Sequence, residues 1–311
     1  MTHQNRVAVA NPALRKLGLS QKDRVAILHA DDVGMCQATL AAISDLWEAG
    51  LVSSAAAMVP CPWFAQAAAL CRASPGVDVG VHLTTTCEYS AYRWGPLSTR
   101  DPASGLLAED GGFHQTAPAA GLHGRPEAAL REMEAQVVRA QDAGIDITHI
   151  DSHMGTAWFP AVLPGYVELA RQFRLPLLLL RPKPPTWRAL QDEGWIAPGH
   201  EMAALALNQA RALEQDGWPL LDNVFMMPLD RPGDRLEQAI WALDSLPPGI
   251  THFVLHPAVD TPELRAITPY DWPSRVADYR AFTSHELAVH VRRSDLQVIG
   301  YRALRDLVRT A

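Results

Sequence analysis

Acidic side chains and imidazoles come directly after short apolar runs of this sequence. Runs of this length and composition are typical of buried strands. Taken singly, each polar residue has an ordinary explanation, because a carboxylate can cap the next helix and a lone histidine is often structural. Their shared position after five such runs indicates one common site. The runs and the residues that follow them are Val25–Leu28 with His29-Ala30-Asp31-Asp32, Val77–Val81 with His82, Ile145–Ile150 with Asp151-Ser152-His153, Leu177–Leu180 with Arg181, and Phe253–Leu255 with His256.

Three of these residues form a ligand set for a metal. Two neutral imidazoles and one carboxylate leave coordination positions open on a zinc-like cation, which is typical of catalytic rather than structural metal sites. A cation with open positions lowers the pKa of bound water and polarises a carbonyl. We therefore predict one divalent metal ion, zinc or magnesium, held by Asp32, His82 and His153.

Two further residues suit proton transfer beside such an ion. Asp31 is adjacent to Asp32 but on a different side of a turning backbone, so it is free to act as the general base. His256 comes after another strand and is the candidate for protonating a departing amine. This arrangement predicts hydrolysis with one base and one acid.

Supporting roles are predicted for three more residues. His149, Asp151 and His153 alternate along one extended segment, which places them on one face. Asp151 is expected to accept a hydrogen bond from a metal-bound imidazole, and His149 to be structural. Arg181 could clamp a substrate carbonyl or hydroxyl, although an arginine at a strand end pairs with a carboxylate at least as often.

The elements that must position these groups alternate along the chain. Runs that are apolar on both faces fit strands of a parallel sheet, and the stretches between them have a helical period. In a parallel barrel all strand carboxyl ends open on one face, where catalytic groups lie. The sequence thus predicts an α/β fold, a distorted (β/α) TIM-like barrel with parallel strands. The predicted strands are Val25–Leu28, Val52–Val59, Val77–Val81, Ile145–Ile150, Leu175–Leu180, His252–Leu255 and Leu296–Ile299, and the predicted helices are Gln37–Ala49, Pro62–Ala73, Pro126–Ala143, Pro160–Phe173, Gly233–Ser245 and Ser274–Val291.

The predicted domain organisation is a single barrel over residues 1–311, because no Pro-, Gly- or Ser-rich linker divides the chain. An irregular insertion at about residues 88–125 is longer than most connections inside a compact domain. A lid over the site and a disordered surface loop both stay open for it. A second irregular region, Arg181–Gly199, is predicted to lie at the mouth of a pocket.

Composition favours a small molecule as the partner. The net charge of −7 is spread without basic runs, which argues against nucleic acid and anionic membrane surfaces. The most apolar run, Leu175–Leu180, is far shorter than the roughly 20 residues that cross a bilayer, and the four cysteines include no C-x-x-C pair. We predict a cytoplasmic protein with reduced thiols that binds neither nucleic acid nor membrane. Whether it forms a homodimer is left open.

Several segments are similar, in this order, to motifs of one known family. They are Leu28–Met35, Gly50–Ser54, Val79–Thr84, Thr148–His153 and His256-Pro257. A later stretch, Arg275-Val276-Ala277-Asp278 followed by Phe282-Thr283-Ser284, is similar to an R-x-x-E-L…L-T-S segment, with Asp278 where Glu is usual. Together they resemble the YdjC-like carbohydrate deacetylases, also called ChbG/HpnK-like.

The resemblance implies a distorted barrel related to the polysaccharide deacetylases and a bound zinc or magnesium ion. It also implies hydrolysis of an N-acetyl group on a small-molecule substrate, an amino sugar, a short oligosaccharide or a sugar-containing metabolite. Carried over by position, Asp31 matches the catalytic base, His256 the acid-side histidine, and Asp32, His82 and His153 the metal ligands.

One motif departs from the family pattern. Many members read D-x-H-x-H where this chain continues from His153 into Met154-Gly155-Thr156, so the second histidine is replaced. The three metal ligands are unaffected by this change. The substrate subsite beside them is predicted to differ, and the substrate to be other than the usual chitooligosaccharide.

Two other functions stay open. The first is another metal-dependent amide or ester hydrolase of the amidohydrolase kind, which usually needs an H-x-H pair on the first strand, whereas this chain has His29 without that partner. The second is a catalytically silent sugar-binding protein of the same fold. All five proposed catalytic positions keep acid–base residue types, which weakens this second alternative.

Overall fold

The strands of the chain form one parallel sheet. In a computed structural model, residues 10–183 and 200–310 are described. The strands in these ranges are β1 (Arg24–Val33), β2 (Ser54–Ala57), β3 (Val79–Leu83), β4 (Ile147–Ser152), β5 (Asn223–Met226), β6 (Gly249–Leu255) and β7 (Gln297–Val298). They lie in the order β4-β3-β2-β1-β6-β5, with β7 beside β1, and every pair is parallel.

Irregular backbone joins the two ends of this sheet. The predicted strand Leu175–Leu180 is wrong as a regular strand, since it makes only isolated bridges, from Leu177 to Ile150 of β4 and from Leu180 to Leu221 just before β5. Pro176 has no N–H to donate, and the Leu179 N–H bonds back to the Leu177 carbonyl at 2.9 Å, which interrupts the extended chain. The bridges still close the ring between β4 and β5. The predicted fold class, a distorted TIM-like barrel, is confirmed.

Helices connect the strands across the outer face. The predicted helix Ser274–Val291 is in fact two helices, because the Ser284 hydroxyl accepts the Leu287 N–H at 3.2 Å and starts a new one. Strand β5 and the helix before it were not predicted from the sequence. The α-helices among the described residues are α1 (Pro12–Lys16), α2 (Gln37–Ala49), α3 (Phe64–Ala73), α4 (Ala117–His123), α5 (Pro126–Asp142), α6 (Leu163–Phe173), α7 (His200–Gln215), α8 (Arg235–Asp244), α9 (Pro262–Ile267), α10 (Trp272–Phe282), α11 (His285–Arg293) and α12 (Tyr301–Thr310). No helix in the described ranges is long and apolar enough to cross a membrane.

The insertion at residues 88–125 packs onto the barrel. Trp94, Leu106 and Phe113 are buried within it, and the Trp94 indole donates to the Thr86 carbonyl at 2.8 Å. The Cys87 N–H donates to the His114 carbonyl at 2.9 Å, which ties the start of the segment to its middle. These contacts favour an ordered, packed segment over a disordered loop. Of the second irregular region, residues 184–199 lie outside the described part of the chain.

Gly80 on β3 gives a buried imidazole its place inside the barrel. A Cβ at residue 80 would lie 2.4 Å from the His149 Cε1 atom, closer than real Cβ contacts come. The His149 ring cannot retreat easily, because it stacks on the Tyr301 ring with centroids 3.8 Å apart. The chain therefore needs glycine here for close packing.

We expect Gly80→Ala to lower the free energy of unfolding by about 1–3 kcal/mol, the usual cost of overpacking. Denaturant unfolding followed by circular dichroism measures it. Gly76→Ala is the matched control, because a Cβ at residue 76 meets no atom within 4 Å; its effect should stay within about 0.5 kcal/mol. Equal effects of the two variants would refute the packing argument.

Candidate metal and catalytic site

A bulge at the end of β1 brings two consecutive carboxylates to one cavity. In a regular strand, neighbouring side chains point to opposite faces. Here the register of β1 against β2 shifts by one residue between Ala30 and Val33. Asp32 has a φ of 63°, a left-handed conformation that is rare for residues other than glycine. As a result Asp31 and Asp32 both line the same cavity.

The three predicted metal ligands converge at the carboxyl ends of β1, β3 and β4. The Asp32 Oδ1 atom lies 3.6 Å from His82 Nε2 and 3.4 Å from His153 Nδ1. The three residues are buried, and each offers one ligand atom within 4.8 Å of the others. Ligands of a tetrahedral cation with bonds of about 2.1 Å are separated by about 3.4 Å. The spacing therefore fits a single divalent ion.

The state of Asp32 is a second test of this fit. Its Oδ2 atom accepts a hydrogen bond from Arg275 Nη1 at 2.7 Å, but its buried Oδ1 atom has no hydrogen-bond partner among the described residues. Buried carboxylate oxygens are rarely left in this way. A cation beside Oδ1 would satisfy it, so the donor set suits the ion that the sequence predicts.

Carboxylates orient both imidazoles from behind. His82 Nδ1 hydrogen-bonds Asp151 Oδ1 at 2.8 Å, which is the contact predicted for Asp151, and His153 Nε2 hydrogen-bonds Glu88 Oε2 at 3.0 Å. Each pairing leaves the other ring nitrogen directed at Asp32. Glu88 was missed as a site residue, because it begins an irregular insertion in which no periodicity marks it.

We expect Glu88→Gln to weaken binding of the divalent cation by about 10- to 100-fold, the usual cost of losing such a partner. The amide lacks the negative charge with which Glu88 holds the His153 imidazole in its orientation. Isothermal titration with Zn²⁺ measures the effect. Glu109→Gln is the control, since Glu109 is an exposed residue of the same insertion. Unchanged affinity in Glu88→Gln would show that Glu88 does not support the ion.

Arg275 on α10 is the other functional residue that residue types alone did not predict. Its guanidinium is buried and donates to Asp32 at 2.7 Å, to Asp271 at 2.9 Å and to the Tyr89 hydroxyl at 3.2 Å. Burial favours the neutral form of Asp32, but Arg275 and His153 outweigh it and hold the pKa of Asp32 well below its usual range. Asp32 is therefore ionised, which is the state that a metal ligand requires.

One turn further along α10, Asp278 holds the backbone of His256. Its Oδ2 atom accepts the backbone N–H of His256 at 2.9 Å, and its Oδ1 atom lies 3.1 Å from Arg235 Nε. The spacing of Arg275 and Asp278 puts both on one helix face. The signal for this pair was present in the R-x-x-D stretch noted above.

Asp31 and His256 face each other across the cavity. Asp31 Oδ2 lies 3.7 Å from His256 Nε2 and 3.8 Å from His82 Nε2. Burial raises the pKa of Asp31, but His82 and His29 outweigh it, so the pKa is lowered and the carboxylate is ionised. Burial also lowers the pKa of His256, against the pull of Asp32 and Asp31. An ionised carboxylate and an imidazole that binds its second proton weakly thus lie beside the predicted metal ligands.

Arg181 lies elsewhere. The residues that line the cavity, within the described ranges, do not include it. Its guanidinium is buried against Glu214 and donates to Asp222 Oδ1 at 3.2 Å. The predicted role of Arg181 as a substrate clamp is therefore corrected. Its side chain instead pairs with two carboxylates, which is the alternative given for it in the sequence analysis.

The cavity above these groups has a volume of about 850 Å³, large enough for an amino sugar or a short oligosaccharide. Tyr89 and Tyr92 reach it from the insertion. Met154 and Gly155, where the sequence departs from D-x-H-x-H, also line it, with φ values of 51° and 66°. Apolar side chains also line the cavity, namely Trp158, Leu178, Met226, Leu229, Val254 and Ile267.

Cation binding should compete with protons at His153. Burial lowers the pKa of this imidazole, but Glu88 and Asp32 outweigh it and raise the pKa to about 10. The cation-free chain therefore carries a proton on His153 at pH 7, and a cation must displace it. We expect the affinity for Zn²⁺ to rise about tenfold per pH unit between pH 6 and 8 for each proton displaced. Calorimetry in buffers of different ionisation enthalpy measures the released proton; a value of zero would contradict the assignment.

Comparisons with known proteins show which family and fold this chain resembles. A family model described as "YdjC-like protein" matches residues 25–293. A carbohydrate deacetylase of Thermus thermophilus is 33% identical over 301 residues, 94% of this chain and 98% of its own. Another, from Thermoanaerobacter pseudethanolicus, is 23% identical over 279 residues, 90% and 98% of the two chains. A crystal structure from Enterococcus faecalis V583, described as a cellobiose-phosphate cleavage protein, superposes with a TM-score of 0.73 at 23% identity, covering 91% of this chain and 99% of its own, which bears on the fold alone.

Proposed function

We propose a function for this chain, which belongs to the YdjC-like protein family. It is a carbohydrate deacetylase that needs one divalent cation. Its substrate would be an N-acetylated amino sugar or a short oligosaccharide that contains one. The observation that carries the proposal is the convergence of Asp32, His82 and His153 on one point, with Asp31 and His256 beside it. The names of the curated relatives support the same reaction.

The cation would be held by Asp32, His82 and His153, and when bound it would polarise the amide carbonyl and activate water. Arg275 keeps Asp32 ionised and fixed, while Asp151 and Glu88 set which ring nitrogen of each histidine faces the ion. These contacts pre-form the ligand set, so little reorganisation is needed at the moment of reaction.

The chain's own acid and base would move the protons. Asp31 is ionised and would accept the proton of the attacking water through Oδ2, the oxygen that faces His256 and His82. His256, whose Nε2 atom lies 3.7 Å from Asp31 Oδ2, would take up that proton from Asp31 and give it to the departing amine. Because burial lowers its pKa, a charged His256 holds that proton weakly and is a strong donor.

The substrate would bind in the cavity above these groups. The acetamido group would point to the predicted metal ligands, and the rest of the sugar would contact the apolar side chains of the cavity and Tyr89 of the insertion. Glycine at residue 155 leaves room that a histidine would fill. This supports a substrate other than the chitooligosaccharide used by D-x-H-x-H members.

Acetate release from a panel of N-acetylated amino sugars and their oligomers tests the proposal. The protein loaded with Zn²⁺ or Mg²⁺ should release acetate from at least one member, and EDTA should abolish the release. Acetyl esters and simple amides belong in the panel, because cleavage of these alone would instead indicate another amide or ester hydrolase. Sugar binding without acetate release under any metal would indicate a silent binding protein and would overturn the proposal.

A further inference from the structure

A second group of imidazoles and carboxylates lies inside the barrel, beneath the metal ligands. It consists of His29, Asp31, Asp151 and His252, and each offers one ligand atom within 4.8 Å of the others. His29 and His252 are fully buried, and Asp151 is 1% exposed. His252 has no role in the proposed deacetylation, and His29 enters it only through its contact with Asp31.

The atoms of this group that face one another lie close together but form no regular hydrogen bonds. His29 Nε2 lies 3.1 Å from Asp31 Oδ1 and 3.0 Å from Asp151 Oδ2, but neither contact has hydrogen-bond geometry. These three atoms and His252 Nε2 are all buried and lack a hydrogen-bond partner within the described residues. Four such atoms at one point are unusual, since nearly all buried polar atoms are paired.

Neighbouring contacts fix which atoms point inward. The Tyr301 hydroxyl is 3.0 Å from His252 Nδ1, which leaves His252 Nε2 for the group. Asp151 uses Oδ1 for His82 at 2.8 Å, which leaves Oδ2. Asp31 directs Oδ2 toward the cavity, 3.7 Å from His256, which leaves Oδ1. Asp31 and Asp151 thus each have one oxygen facing this lower group. The other oxygen of each faces the upper site, which is formed by Asp32, His82 and His153.

Spacing and charge both suit a cation. Adjacent ligands of an octahedral ion with bonds of about 2.1 Å are about 3.0 Å apart, and the two contacts of His29 Nε2 have lengths of 3.1 and 3.0 Å. Two buried carboxylates also need positive charge nearby. Protons on His29 and His82 can supply this charge, and a divalent cation would supply two units in their place.

We propose that His29, Asp31, Asp151 and His252 hold a second divalent cation inside the barrel. Two imidazoles with two carboxylates suit Zn²⁺, Co²⁺ or Mn²⁺ better than Ca²⁺, which prefers oxygen ligands alone. Asp31 then has one oxygen on the second ion and the other facing the cavity. The inference concerns ion binding and stands independently of the deacetylase reaction.

The experiment counts Co²⁺ per chain in a background that lacks the upper site. His153→Ala supplies this background, because the contacts of His153 are with Asp32 and Glu88 and not with the second group. After loading with Co²⁺ and desalting, elemental analysis should give two ions per wild-type chain and one per His153→Ala chain. Adding His252→Gln to His153→Ala should remove the remaining ion, along with its visible absorption.

His149→Gln is the stringent control in the same background, because His149 is equally buried and its Nε2 atom lies 3.8 Å from Asp151 Oδ2, but it is not one of the four proposed ligands; that double variant should keep one ion. One Co²⁺ per wild-type chain and none in His153→Ala would overturn the proposal, with a proton on His29 as the occupant instead. The Co²⁺ counts of the wild type and of His153→Ala decide whether a second ion binds, even if the His252 variant does not fold. Acetate release does not enter the measurement, so failure of the proposed deacetylation would leave the result unaffected.

Discussion

Replacing His153 by alanine is expected to reduce acetate release by at least about 1,000-fold. The imidazole is one of three ligands around a single point, and its Nδ1 atom lies 3.4 Å from Asp32 Oδ1. Loss of a catalytic cation removes several kcal/mol of transition-state stabilisation, and about 4 kcal/mol corresponds to a factor of about 1,000. The variant should also hold one divalent ion fewer per chain than the wild type. Steady-state rates and elemental analysis of the same preparation measure both effects.

His123→Ala is the control for His153→Ala, because His123 is an exposed histidine of the insertion. It should keep the wild-type rate and ion content. If His153→Ala retained the full ion content and more than a tenth of the rate, the imidazole could not be a ligand that catalysis requires. A circular dichroism spectrum like that of the wild type would confirm that the variant is folded.

Replacing Asp31 by asparagine is expected to lower kcat by about 100- to 10,000-fold, the usual contribution of a general base. The amide is nearly the same size as the carboxylate but cannot accept the proton of the attacking water. The ion held by Asp32, His82 and His153, called the upper ion, should remain because these three ligands are intact. Asp32→Asn is the informative comparison, because it alters the adjacent carboxylate and should lose that ion. Titration with Zn²⁺ beside the steady-state rate separates the two variants.

The outcome that would contradict this role is an Asp31→Asn variant with an undiminished rate, since another group would then be the base. Loss of the upper ion in Asp31→Asn would also contradict it, because Asp31 would then be a ligand of that ion. The two carboxylates are adjacent in sequence, so this contrast tests their assignment directly.

The convergence of the polar residues could be predicted because it depends on topology. His82 and His153 each follow an apolar run, and parallel strands bring their carboxyl ends to one face whatever lies between them. Alternation along β4 likewise predicted that Asp151 would lie near a ligand histidine, and it hydrogen-bonds His82. Short-range pattern and strand direction were sufficient here.

The end of β1 could not be predicted in detail. Strand alternation places Asp31 and Asp32 on opposite faces, whereas a register shift against β2 and the left-handed φ of Asp32 bring both to one cavity. Such a bulge depends on pairing with a distant strand and on the buried Arg275 that holds Asp32. Neither is visible in a local window of sequence.

The wrong predictions for Leu175–Leu180 and for Arg181 have related causes. Leu175–Leu180 is as apolar as a central strand, but Pro176 and the tight turn from Leu177 to Leu179 leave only isolated bridges. Arg181 follows that segment and turns toward Asp222 rather than the cavity. In both cases tertiary contacts overrode a local pattern.

The most direct test of the central claim is an anomalous difference map at the zinc edge from a crystal grown with Zn²⁺. The account predicts a peak about 2.0–2.2 Å from Asp32 Oδ1, His82 Nε2 and His153 Nδ1. A fully loaded crystal with no peak at that point, or with zinc bound by other residues only, would contradict it.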